Sequence, residues 1–205
     1  MRKLLIATHN PGKRKEYSEI LQGVPFELVT LDEVGIKEDV EETGKTFEEN
    51  ARLKAVTYAQ QSGLLTLADD SGLEVDALGG APGIYSKRYL GEDKTDAERN
   101  AHLLAQLRDV PPEKRTARFR CVIVIADAKG NEWVSEGVCE GAIGMEPRGT
   151  NGFGYDPIFL LPERGKHFAE LSSEEKNKIS HRGRAAEGAR KILEKIQFTV
   201  DDPPA

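Results

Sequence analysis

The sequence is short of cysteine, of aromatic residues and of long apolar runs, and each shortage removes a class of protein. Two cysteines in 205 residues, Cys121 and Cys139, form no CxxC pair and have no clustered histidines beside them, which leaves no disulfide framework and suggests no zinc site. Both read as reduced thiols of a cytosolic interior. No stretch approaches the roughly 18 consecutive apolar residues that a membrane span needs, and Met1-Arg2-Lys3 precedes only a brief apolar run, too short for a secretory signal. A cytoplasmic protein without membrane attachment is therefore expected. Positive charge is not in excess either. Twenty-nine Lys and Arg stand against 35 Asp and Glu, for a net charge of −6, a balance unsuited to gripping long nucleic acid. A small anionic ligand needs only a local convergence of cations and is still allowed.

What is present is an ordinary globular composition, 38% hydrophobic and 31% charged, in a chain long enough to bury roughly 70% of its unfolded surface. A strand over Lys3 to Ala7 is followed by Thr8-His9-Asn10-Pro11-Gly12 as a tight loop and a helix from Lys13 to about Leu21. A short strand near Phe26 to Leu31 leads to the acidic loop Glu38 to Gly44. Thr46, three residues before Glu49, then opens a helix to about Ser62. The run LLTLADDSG is expected as a strand that stops at its acids, with LEVDAL as a further strand. Thr95 to Leu107 reads as a helix, and Arg118 to Ala126 and Glu132 to Ile143 as two strands joined around Lys129-Gly130-Asn131. A helix start at Ser172, a helix from about Gly183 to Lys195 and a frayed tail over 201–205 complete the pattern. With no internal repeat and no linker, residues 1–200 form a single mixed α/β domain.

Three stretches could carry chemistry. Thr8 to Lys13 is not a Walker A motif, since Ala7 replaces its glycine and Arg14 stands where Ser or Thr would bind magnesium. It still offers a helix N-terminus, the polar side chains of Thr8 and Asn10, and Lys13 as a mobile charge, which suits either a phosphate cradle or a plain turn. Asp69-Asp70-Ser71-Gly72 places carboxylates where burial demands a cation; magnesium would fit, and two neighbouring acids could divide metal binding and general-base work. An Asx turn would use the same residues. Phe153-Gly154-Tyr155-Asp156 suits stacking on a flat ring with Asp156 reading its edge, or two core aromatics beside a bulge. Lys54, Lys176, His181 and Arg182 are cationic or polar donors that suit a phosphate or purine acceptor atoms, and equally suit ordinary surface and structural roles.

Five segments in order, ATHNPGK (7–13), EETGKTFEENARLKA (41–55), LADDSGLEVDALGGAPGIYSKRY (67–89), GTNGFGYDPIF (149–159) and EEKNKISHRG (174–183), resemble the inosine triphosphate pyrophosphatase family across almost the whole chain. The resemblance implies an α/β enzyme of two lobes around a long, curved, mixed sheet flanked by helices, with the active-site cleft between the lobes, working as a homodimer. It implies magnesium-dependent hydrolysis of ITP, dITP and XTP to the monophosphate and pyrophosphate. Transferred by motif, Thr8, His9, Asn10, Pro11, Gly12 and Lys13 hold the triphosphate, Glu41 and Asp70 bind magnesium, and Asp70 also accepts the proton. Lys54, Ser71, Phe153, Gly154, Tyr155, Asp156, Lys176, His181 and Arg182 contact substrate. The six-position keto oxygen of hypoxanthine or xanthine would accept from His181 or Arg182, where adenine presents an amine. The rivals are a regulatory module that binds a triphosphate without cleaving it and a phosphotransferase.

Overall fold

The alternation of buried residues along the first strand sets the architecture. In β1 (Lys3–Ile6) and the residue after it, Leu4 and Ile6 point to one face of the sheet, and Leu5 and Ala7 to the other. A computed structural model describes residues 1–200, with side chains as far as Ile196; the tail expected over 201–205 lies outside the described residues. The sheet has seven strands, β2 (Glu27–Thr30), β1, β3 (Leu65–Val75), β4 (Thr116–Ala126), β5 (Glu132–Ile143), β6 (Phe159–Leu161) and β7 (Lys166–His167), in that spatial order. It is mixed: β1 pairs in parallel with β2 and β3, whereas β5, β6 and β7 pair antiparallel. The α/β class expected from sequence is the one observed.

The described residues divide into two compact units, one of residues 1–70, 121–137 and 183–200, the other of residues 71–120 and 138–182. In the first, helices cover both faces of the parallel strands. Helix α1 (Pro11–Ile20) and α5 (His181–Val200) pack Tyr17, Ala186, Ala189 and Leu193 on the face that holds Leu4, Ile6, Leu67 and Ile123. Helix α2 (Phe47–Ser62) packs Ala51, Ala55 and Tyr58 on the opposite face with Leu5, Ala68 and Val124. The second unit builds one core in which Leu73, Val75, Phe119, Ile143 and Phe159 meet Leu103 and Leu107 of α3 (Asp96–Gln106) and its C-cap.

The local signals for α2 and α3 hold: Thr46 and Thr95 are the N-caps, and Thr95 forms a complete capping box with Glu98. Two expectations are corrected. Helix α1 begins at Pro11, not Lys13, because Asn10 caps the amide of Lys13 and a proline in the first turn has no N–H to lose. The strand through LLTLADDSG does not stop at its acids. β3 runs unbroken from Leu65 to Val75, with Asp69 and Asp70 in mid-strand and Ser71-Gly72 extended. Pairing with its neighbours outweighs the turn preference of Asp, Ser and Gly.

Candidate functional site

In a strand, successive side chains face opposite ways, so Asp69 and Asp70 are parted by the pleat of β3. Asp69 turns toward α1. Its Oδ2 lies 2.9 Å from Lys13 Nζ and accepts from the Cys121 thiol at 3.6 Å. Asp70 turns toward α2, where Asn50 Nδ2 donates to its Oδ2 at 3.1 Å. Both carboxylates are buried. The adjacent acids therefore do not form one paired group: Asp69 fixes Lys13, whose charge also reaches Asp70, while Asp70 itself is bonded to α2.

Asn50, Lys54 and Tyr58 recur every four residues and so share one side of α2. Together they fasten the acidic loop. Tyr58 Oη donates to Glu38 O at 3.0 Å, Lys54 Nζ meets Glu42 Oε1 at 2.5 Å, and Asn50 Oδ1 accepts from Gly44 N at 2.8 Å. The Asn50 amide thus links this loop directly to Asp70. Sequence reasoning gave Asn50 and Glu42 no role, although the 50-54-58 spacing carried the signal. Glu41 is exposed, and the acid of this loop whose charge is felt at Asp70 is Glu42.

The charges here act on one another. Burial pushes the Asp70 carboxyl above the ordinary aspartate range, against the pull of Lys54 and Lys13 and with the repulsion of Glu42. Burial disfavours the Lys54 ammonium, yet the summed attraction of Asp70, Glu42 and Asp69 leaves its pKa raised. A buried carboxylate tied to a fastened acidic loop suits an oxygen-seeking cation. No group of three or more His, Cys, Asp or Glu side chains among the described residues makes a protein-only cage. Asp70 and a loop carboxylate are donors of the kind magnesium takes, one or two carboxylates with substrate phosphates and water completing the shell.

At the start of α1 the loop is shaped by its own side chains. Thr8 Oγ1 accepts from Asn10 N at 3.2 Å and Asn10 Oδ1 from Lys13 N at 3.1 Å, while His9 Nε2 lies 3.8 Å from Asp39 Oδ1. Pro11 and Gly12 occupy the first helical turn, so Lys13 leaves the helix N-terminus toward Asp69.

The second unit gathers the remaining residues. Lys176, on α4 (Ser173–Ile179), is buried, with Nζ 2.5 Å from Asp156 Oδ2 and 5.1 Å from the centroid of the Phe153 ring. Arg182 lies 5.5 Å from the same centroid and donates to Ser71 Oγ at 2.8 Å. One aromatic ring thus has two cations within reach of its π-system. His181 stacks on Phe119 with centroids 4.6 Å apart and is buried. Tyr155 is a core residue whose hydroxyl donates to Ser86 O at 2.9 Å. Asp156 Oδ2 also accepts from Phe153 N at 2.9 Å, closing the turn.

That closure requires glycine at 152, where φ is +76° and a Cβ would overlap the Asp156 carboxylate. Gly152→Ala is expected to lose about 2 kcal/mol of stability, read as a lower urea midpoint at unchanged slope. An unshifted midpoint would show that the turn absorbs the methyl group.

Residues 4–192 match the Ham1 family. The dITP/XTP pyrophosphatase of Desulforamulus reducens is 52% identical over 194 residues, covering 95% of this chain and 96% of that protein. The protein of the same description from Bacillus subtilis is 49% identical over 194 residues, covering 95% and 98%. Among solved structures, a HAM1 protein from Coxiella burnetii superposes with a TM-score of 0.87 at 44% identity, covering 95% of this chain and 100% of that one.

Proposed function

The chain belongs to the Ham1 family, and from that premise we propose that it hydrolyses the non-canonical purine nucleoside triphosphates ITP, dITP and XTP to the monophosphate and pyrophosphate. Such an activity removes deaminated purines before they enter DNA or RNA. The observation that carries the reading is Asp70, a carboxylate buried in mid-strand, subject to the charges of Lys54 and Lys13 and joined through Asn50 to the acidic loop.

Cleavage between the α- and β-phosphates needs a group to take a proton from the attacking water and cations to receive charge on the departing pyrophosphate. Asp70 accepts that proton, and its burial raises its affinity for it. Lys13, oriented by Asp69, and Lys54, oriented by Glu42, face the phosphate chain. Residues Thr8 to Gly12 bring the positive end of α1 to the same anion. Asp70 and Glu41 would hold magnesium, which when bound neutralises phosphate oxygens.

In the second unit Phe153, with Lys176 and Arg182 near its ring, would stack on the base; Ser71 and Asp156 are bonded to this group, and Gly154, Tyr155 and His181 are assigned to it by the family resemblance. Donors meet the six-position keto oxygen. An adenine amine would leave those donors facing donors, and unpaired buried polar groups of this kind can cost several powers of ten in discrimination. The homodimer and the cytoplasmic location are part of the same proposal; the first rests on the family resemblance, the second on the reading of Cys121 and Cys139 as reduced thiols.

The test supplies dITP and ATP separately with magnesium and follows products by phosphorus NMR. Pyrophosphate and dIMP are expected from dITP, with ATP turned over at least ~100-fold more slowly. Orthophosphate as the product would point to a phosphatase or phosphotransferase, and binding without turnover to a regulatory module; either outcome overturns the reading.

A further inference from the structure

We propose that Asp96 and Asn100, one turn apart on α3, are positioning residues that hold the backbone of Gly154 and thereby set the shape of the turn assigned to reading the purine base; the inference rests on the function proposed above. Gly154 N donates to Asp96 Oδ2 at 2.8 Å, and Gly154 O accepts from Asn100 Nδ2 at 3.1 Å. The helix thus grips both backbone polar groups of one residue, at the point where the turn takes the left-handed conformation with φ +61°.

Neither contact is needed to begin α3. Thr95 and Glu98 already satisfy its N-terminus through their reciprocal box; of the Asp96 oxygens, Oδ1 pairs with Arg99 on the same helix at 3.4 Å and Oδ2 is the one given to Gly154. Asn100 gives the clearer sign. It is 4% exposed, and its Oδ1 is buried without a hydrogen-bond partner among the described residues. An amide with one end unsatisfied is a poor packing choice, since an apolar side chain of similar size would avoid that cost. Its donor end is what the position uses.

The neighbours in the turn have anchors of their own. Phe153 N is held by Asp156, the Tyr155 hydroxyl by Ser86, and Asp156 by Lys176. Gly154 has no side chain with which to anchor itself, so its place in the turn depends on α3. Release of either contact lets this peptide rotate and shifts the neighbouring Phe153 ring relative to Lys176 and Arg182. The predicted consequence is weaker and less selective base binding rather than slower chemistry.

The test is steady-state pyrophosphate release by the full chain from dITP and ATP, with melting temperatures measured alongside. Asp96→Ala and Asn100→Ala are each expected to raise the KM for dITP about tenfold, to leave kcat within about threefold, and to narrow the dITP-over-ATP ratio of kcat/KM about tenfold. Asp96→Asn, which keeps an acceptor oxygen, should return KM to within about threefold of the parent. A purely structural role would lower the melting temperature while the folded enzyme kept its KM and ratio, and that result overturns the inference. Asp96 is 54% exposed, so Asp96→Ala and Asp96→Asn decide the matter if Asn100→Ala does not fold. Failure of the parent protein to release pyrophosphate from dITP would defeat the proposed function, and this inference with it. A parent that works beside variants indistinguishable from it defeats the inference alone.

Discussion

Replacing Asp70 with Asn is expected to reduce kcat for dITP hydrolysis at least ~100-fold while leaving the protein folded. The substitution keeps the shape of the side chain and an oxygen that can accept from Asn50 Nδ2, so the link between β3 and the acidic loop survives. What it removes is the group that takes the proton and one negative charge. A carboxyl whose folded pKa is raised destabilises the fold above that pKa, a penalty absent below its unfolded pKa, so a neutral isostere relieves it at neutral pH; the raised pKa is already the net of burial against the pull of Lys54 and Lys13. The melting temperature should therefore not fall by more than about 4 °C below the parent, the shift that ~1 kcal/mol produces in a chain of this size. Pyrophosphate release, circular dichroism and thermal melting together make the check. Turnover near the parent rate removes Asp70 as the base, and a melt lowered by more than about 10 °C would assign the loss to misfolding.

The same region shows how far a sequence can be read. Helices α2 and α3 were legible because their signals are local: a threonine cap, glutamate three residues on, and apolar residues at helical spacing. β3 was not. Asp69-Asp70-Ser71-Gly72 has the composition of a turn, and only pairing with strands distant in sequence keeps it extended. Once it is a strand, its period of two separates Asp69 from Asp70 without further information. The partners still come from elsewhere: Lys13 is brought to Asp69 by the cap that starts α1 two residues earlier than expected, and Asn50 and Lys54 come to Asp70's face on α2. Nothing within the acidic loop announces that Tyr58, Lys54 and Asn50 will fasten it. Where function depends on a spacing within one element, the sequence holds the signal. Where it depends on contact between elements, the fold must supply it.

The pair Asp156–Lys176 is of the second kind, and it carries the largest expected effect on stability. Both side chains are almost fully buried, at 3% and 6% exposure, and the carboxylate serves the Phe153 amide as well as the ammonium. Asp156→Asn retains an acceptor for that amide but takes the negative charge away from a buried lysine. The expected loss is about 3–5 kcal/mol, because desolvation of the ammonium persists when its carboxylate is gone. Asp156→Asn combined with Lys176→Met removes the charge as well as its partner, and it should recover at least half of that loss, since a buried ion pair replaced by groups of similar volume is often near neutral in stability. Substrate discrimination should not recover, because Lys176 borders the Phe153 ring assigned to the base. Urea denaturation of the parent, both single variants and the double variant closes the cycle. A loss below about 1 kcal/mol for Asp156→Asn would mean that water reaches the lysine, and a double variant with dITP selectivity intact would take Lys176 out of base recognition while leaving its structural part in place.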